Sequence, residues 1–197
     1  MDNNFSIIQK CIGEDLKIKK QILNNLKLLH LIEKVTEEIV SAFKNDKKIL
    51  LCGNGGSAAD AQHIAAELSG KFYLDRKPLP AEALHVNSSF LTAVANDYSF
   101  EEVFARMVNA QGKAGDILIA ISTSGNSINI IKALQAAKEK GMVTVGLTGE
   151  KGGKMKDYCD YLIKIPSNDT PRIQESHILI GHIICQIVEQ EMFSFNN

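Results

Sequence analysis

The segment KILLCGNGGSAADAQHIAAEL, Lys48 to Leu68, decides the fold class. An apolar run (Lys48 to Cys52) breaks on a glycine-rich turn (Gly53 to Gly56) and passes into residues with helical spacing, which is one βα unit. Four further short apolar runs follow: Ala81 to Val86, Asp116 to Ile121, Val143 to Thr148 and Tyr161 to Ile165. They are too short and too continuously apolar for a sheet with one wet face, so they predict a parallel sheet covered on both sides. Helix-period segments lie between them, Ser57 to Phe72, Phe100 to Gly112 and Ser127 to Lys140, with a last one from Pro171 to Phe193. The expected fold is α/β, a three-layer α/β/α arrangement with a five-stranded parallel sheet of flavodoxin-like order. Ahead of it, Phe5, Ile8, Ile12 and Leu16, then Ile32, Val35, Ile39 and Phe43, predict a helical arm over 1–45 that hinges near His30. The core takes 46–197, and with no Gly/Ser linker or internal repeat the whole of 1–197 reads as a single domain.

Composition narrows the function. The chain has 197 residues, of which 45% are hydrophobic, and its 22 basic against 23 acidic side chains give a net charge of −1. Neither a nucleic-acid partner nor an anionic membrane is expected. The 12 aromatics include no tryptophan, which leaves little to stack on bases. Cys11, Cys52, Cys159 and Cys185 lie far apart and read as reduced thiols. The N-terminus has no signal-peptide pattern and no run approaches 18 apolar residues, so a cytoplasmic location is expected.

Two loops leave what would be neighbouring strands. The first, Gly53-Asn54-Gly55-Gly56-Ser57-Ala58, formally matches GxGxxA, the relaxed dinucleotide fingerprint. A dinucleotide fold also wants an acid at the tip of the second strand, yet that strand ends in Val86-Asn87-Ser88 and Asp75 sits in a polar stretch before it. The second loop, Ser122-Thr123-Ser124-Gly125-Asn126-Ser127, gathers hydroxyls and main-chain N–H groups at a helix start, the makings of an anion cradle. It lacks the lysine of a P-loop, so a phosphate monoester fits better than a triphosphate. The plainer readings are a tight glycine turn and an ordinary serine N-cap. In a 2-1-3-4-5 sheet the crevice at the switch point opens between the two loops, where a small phosphorylated ligand belongs.

Candidate chemistry lies on two helices. His63 and Glu67, four residues apart, share a face and could grip a metal or work as an acid–base pair, although such pairs are often mere surface partners. Gln174 and His182 lie on broadly one side of the last helix, His182 within an apolar run where a hydrogen-bonded core or interface histidine is the simpler reading. Two imidazoles, a carboxylate and an amide oxygen suit zinc or a similar ion. Gln174 and His182 are separated by about 12 Å of helical rise. This predicts either that neighbouring chains complete the site or that the helix is irregular near Gln174.

The blocks GNGGSAADAQHIAAEL (Gly53 to Leu68), AND (Ala95 to Asp97), GDILIAISTSGNS (Gly115 to Ser127), LTGEKGGKM (Leu147 to Met155) and RIQESHILIGH (Arg172 to His182) occur in that order. In them the chain resembles the phosphoheptose isomerase family of the sugar isomerase (SIS) fold, along nearly its whole length. The resemblance implies conversion of sedoheptulose 7-phosphate to D-glycero-D-manno-heptose 7-phosphate, the entry to heptose precursors of lipopolysaccharide or capsule. It implies a cytoplasmic homotetramer with sites at subunit interfaces and one zinc per subunit. By position the metal ligands would be His63, Glu67, Gln174 and His182, with Glu67 as base and His182 as partner acid. Asn54, Gly55, Gly56, Asn96 and Asp97 would contact the sugar, with Glu67 and Gln174 also against substrate, and Ser57, Ser122, Thr123, Ser124 and Ser127 would hold the phosphate. One departure is Lys71, where the family pattern leads one to expect an arginine; lysine keeps the charge but loses the bidentate fork. A non-catalytic SIS scaffold of the replication-initiator-binding type is the competing class; that branch lacks the counterparts of Glu67 and His182, both present here. A module for another sugar phosphate is a third reading, because a phosphate cradle does not measure sugar length.

Overall fold

In the computed structural model, residues 3–193 are described; Met1, Asp2 and residues 194–197, the ends of the 1–197 span, lie outside them. The arm is two helices, α1 (Asn4–Leu23) and α2 (Leu26–Lys44). The break falls at Asn24 and Asn25 rather than near His30, because Asn25 caps α2 by accepting the Leu28 N–H (3.1 Å) and His30 sits inside the helix. The arm is also no free appendage. Ile32, Val35, Ile39 and Phe43 of α2 are all buried, each contributing about 1.5–3 kcal/mol relative to exposure, which anchors α2 to the sheet.

The sheet is fully parallel with order β2-β1-β3-β4-β5, where β1 is Ile49–Gly53, β2 Ala81–Ala83, β3 Ile117–Ile121, β4 Val143–Thr148 and β5 Tyr161–Lys164. The central strands are buried along their full length because their alternate residues enter different cores. Ile49, Leu51, Ile117, Ile119, Val145 and Leu147 face α1, α2, α3 (Gly56–Ser69) and α7 (Thr170–Met192). Leu50, Cys52, Leu118 and Ala120 face α4 (Ser88–Asp97), α5 (Val103–Gln111) and α6 (Ile128–Glu139). This two-sided burial explains why the strands read as unbroken apolar runs.

Two local differences from the sequence reading have physical causes. The strand expected over Ala81 to Val86 stops at Ala83, because the Val86 N–H turns back to the Ala83 carbonyl. Asn87 then accepts the Phe90 N–H and starts α4, a helix with no counterpart in the sequence reading, since Val94 is its sole buried residue and no clear apolar stripe marks it. The start of the helix expected over Phe100 to Gly112, Phe100–Glu102, is a 3-10 turn ahead of α5.

Candidate functional site

Gly53 pairs with Ile121, so β1 and β3 end level and their loops stand side by side. Gly55, at φ +56°, turns the first loop into α3, whose N-cap has no side chain; the N-cap of α6, Ser127, makes no cap bond either. Of the first-turn N–H groups, those of Ser57, Ala58 and Ile130 bond the carbonyls of Asn54, Gly55 and Ser127, which leaves those of Gly56, Ile128 and Asn129 to engage something else. Ser57 and Ser122 are buried, and Ser122 Oγ lies 3.3 Å from Ser127 Oγ while accepting the Gly125 N–H at 3.2 Å. Thr123 and Ser124 line one small cavity with Glu150, Lys151 and Asn168. The segment from Gly149 to Met155 braces this loop: the Gly149 N–H bonds the Thr123 carbonyl (3.0 Å) and the Met155 N–H the Gly125 carbonyl (2.9 Å). Gly125, at φ +66°, has no space for a β-carbon, which would meet the Gly152 carbonyl.

The two loops are tied by a pair of carboxamides. Asn54 Nδ2 donates to Asn129 Oδ1 and Asn129 Nδ2 to Asn54 Oδ1, both at 2.9 Å. The Asn54 side chain, expected on the sugar, is therefore engaged by the first turn of α6. Asn129 had no place in the sequence reading, although an asparagine in the apolar start of a helix is a detectable oddity. Asn96 and Asp97, also expected on the sugar, bond each other at the exposed end of α4, and no hydrogen bond joins them to either loop among the described residues. Lys71 is exposed just beyond α3.

The second grouping is built by α3 and α7 lying together, allowed by Gly181, where a β-carbon would fall 2.6 Å from Ile64. His63 Nε2 and His182 Nε2 both approach one oxygen of Glu67, Oε1, at 3.1 and 3.3 Å. The other, Oε2, is buried with no partner. The imidazoles meet edge to face with centroids 5.1 Å apart, and Phe72 stacks against His182. Ligand atoms of these three residues lie within 4.8 Å of one another. An orphaned carboxylate oxygen beside two converging nitrogens fits a small divalent cation, and an N₂O donor set suits zinc. Asp60, one turn before His63, has its carboxyl pushed up to about 6, because burial outweighs the attraction of His63 and His182. The i, i+3 spacing to His63 was the sequence signal for it, and it was missed.

Gln174 stands elsewhere on α7. Its carboxamide lies over Gly56, so closely that a β-carbon there would sit 2.5 Å from Nε2. The helix runs unbroken from Thr170 to Met192, so the expected irregularity near Gln174 is absent: a regular helix carries Gln174 to the loop end of α3 and His182 to the triad.

These features meet the comparisons with known proteins. The SIS domain model matches residues 17–149. The phosphoheptose isomerase of Aneurinibacillus thermoaerophilus is 56% identical over 186 residues, 94% of each chain. The chain belongs to the phosphoheptose isomerase family of SIS-domain proteins. Phosphoheptose isomerase 2 of Campylobacter jejuni is 53% identical over 193 residues, covering 98% of this chain and 96% of that one. Among solved structures, the phosphoheptose isomerase of Neisseria gonorrhoeae superposes with a TM-score of 0.90 at 41% identity, over 95% of this chain and all of the other. The enzyme from Francisella tularensis superposes with 0.92 at 36%, over 96% of this chain and all of its own. No helix among the described residues is long and apolar enough to cross a membrane.

Proposed function

We propose that this chain, acting as one SIS unit over 1–197, isomerises sedoheptulose 7-phosphate to D-glycero-D-manno-heptose 7-phosphate in the cytoplasm, for heptose precursors of surface polysaccharide. The observation that carries the reading is Glu67 with both imidazoles on one oxygen and its other oxygen buried and unpaired. The phosphate belongs against Ser57, Ser122, Thr123, Ser124 and Ser127, where hydroxyls and the first N–H groups of two helices offer donors and no lysine is needed. The main chain of Asn54, Gly55 and Gly56, with Asn96 and Asp97, meets the sugar.

Glu67 takes one C1 proton of the ketose. The released electron pair forms the C1–C2 double bond of an enediolate, and the former carbonyl oxygen on C2 gains the charge, which His182 meets by donating a proton. His182 then takes up the O1–H proton, C1 becomes the carbonyl, and Glu67 returns the proton it holds to C2, which completes the aldose and restores both groups. Atoms balance, since the product is an isomer. His63, Glu67 and His182 would hold a zinc ion, and substrate oxygens or the Gln174 carboxamide of a neighbouring chain would complete its surroundings. Zinc there supplies polarisation of the carbonyl and stabilisation of the enediolate oxygens.

His63 and Glu67 lie about 9 and about 15 Å of helical rise beyond Ser57 along α3, on a layer outside the sheet. The outer face of α1 leaves Phe5, Ile8, Ile12 and Leu16 exposed, and α2 and α7 flank an apolar groove lined by Ile32, Val40, Ile183 and Ile187. These unpartnered faces support a homotetramer with sites at subunit interfaces. The test is incubation of zinc-loaded protein with sedoheptulose 7-phosphate, following the aldose, beside Glu67→Gln. Turnover by the wild type and its loss in the variant are expected. An inactive wild type would refute the isomerase, and a fully active Glu67→Gln would refute the base.

A further inference from the structure

One buried ion pair contacts both helices of the triad. Arg76 lies in the loop between α3 and β2, and its side chain is 4% exposed; that of Glu189 on α7 is 3% exposed. Arg76 Nε donates to Glu189 Oε1 at 3.0 Å. Its Nη2 donates to the main-chain carbonyl of Glu67 at 2.8 Å, and its Nη1 to those of Leu68 at 2.7 Å and Gly70 at 3.1 Å, with Lys77 at 3.2 Å. Glu189 Oε2 accepts the N–H groups of Tyr73 and Leu74 at 2.9 and 3.0 Å. The Phe193 ring covers the guanidinium.

These contacts do two things at once. The last carbonyls of a helix have no intrahelical partner and carry the negative end of its dipole. Arg76 supplies donors and a positive charge to the final turn of α3, and Glu67 is in that turn. Glu189 follows His182 by seven residues, two turns along the same face of α7. The pair thereby fixes the main chain of Glu67 relative to the helix that carries His182. Stability alone gives no reason for a buried ion pair, because well-packed apolar replacements are often neutral or stabilising. What a guanidinium adds is a rigid fork of donors with a set direction.

We propose that Arg76 and Glu189 are positioning residues: their ion pair holds Glu67 and His182 in the mutual register that proton transfer and metal binding require. The inference rests on the reading of those two residues as the reacting pair.

The decisive variant is the double substitution Arg76→Met with Glu189→Leu, which removes both charges and so leaves neither buried alone. Arg76→Lys accompanies it, keeping the charge without the fork. Both are compared with the wild type for zinc affinity of the metal-free chain and for turnover of sedoheptulose 7-phosphate. For a folded double variant the expectation is zinc binding weakened about 10- to 100-fold, the range seen when groups that orient ligands are removed. The kcat should fall by at least about tenfold while KM for the ketose stays within about twofold, because the phosphate loops are untouched. Arg76→Lys should shift both quantities the same way. A purely structural pair would change the unfolding midpoint and leave the zinc affinity and the kcat of the folded protein at wild-type values, and that result overturns the proposal. Failure of the underlying reading shows separately, as a wild type that neither binds zinc nor turns over the ketose. The separation of Glu67 and His182 in a crystal structure of the double variant then decides: an increase supports the positioning role and an unchanged separation overturns it.

Discussion

His177 gives the sharpest test of how the centre of α7 is packed. It is fully buried, its Nε2 lies 3.3 Å from the Thr148 carbonyl, and its Nδ1 has no partner. The neutral ring donates from Nε2; a second proton on Nδ1 would find no acceptor. Burial lowers its pKa from 6.5 to about 4, against a smaller opposing effect of the Thr148 bond. The folded state therefore disfavours the charged ring, and the unfolded chain takes up the proton first as pH falls. The contribution is fully present above pH 6.5 and is lost between 6.5 and 4, about 3 kcal/mol in all and about 2 kcal/mol by pH 5. The assay is urea unfolding followed by circular dichroism at pH 7.5 and pH 5.0, for the wild type and for His177→Leu. Leucine is apolar and does not titrate, so its packing cost is the same at both pH values. Asp60, whose raised carboxyl acts in the opposite direction over part of this range, is present in both proteins and cancels. The wild type should lose about 2 kcal/mol more than the variant between the two conditions. Equal pH dependence would mean that His177 is solvated or paired, and the reasoning would fail.

Three further outcomes follow from the same geometry. Asn129→Ala leaves the Asn54 amide without its partner and should cost about 1–3 kcal/mol; in a double-mutant cycle with Asn54→Ala the two losses should not add, and additivity would show that the carboxamide pair is not coupled. Gly181→Ala places a methyl against Ile64, which should cost about 1–3 kcal/mol of stability and weaken zinc uptake by separating α3 from α7, whereas wild-type zinc affinity would argue against their close approach. Ile12→Glu with Leu16→Glu on the exposed face of α1 should reduce the assembled mass seen by light scattering, and an unchanged mass would remove α1 from the interface.

The loops were legible because their signals are local. A hydroxyl-rich turn after an apolar run, with Gly125 where the backbone must turn, marks the loop within six residues. The arm's hinge was misplaced because Asn24 and Asn25 act by capping, which leaves the apolar period almost undisturbed. The helix α4 stayed hidden because one buried residue makes no period at all. Gln174 and His182, about 12 Å apart in helical rise, could be set on one side of α7 from pattern, which says little about which turn of the neighbouring helix each one meets.

By itself, then, the order of residues determined the alternation of strand and helix, the parallel sheet and the two loops at its carboxyl edge, since periodicity and turn chemistry act over a few neighbours. The tertiary structure alone decided which side chains meet across the chain. Glu67 reaches His182 because Gly181 admits Ile64, Asn54 finds Asn129 because β1 and β3 end level, and Arg76 finds Glu189 because a loop without regular structure folds back over α7. Such contacts depend on how whole elements pack, and no local stretch of sequence carries that information.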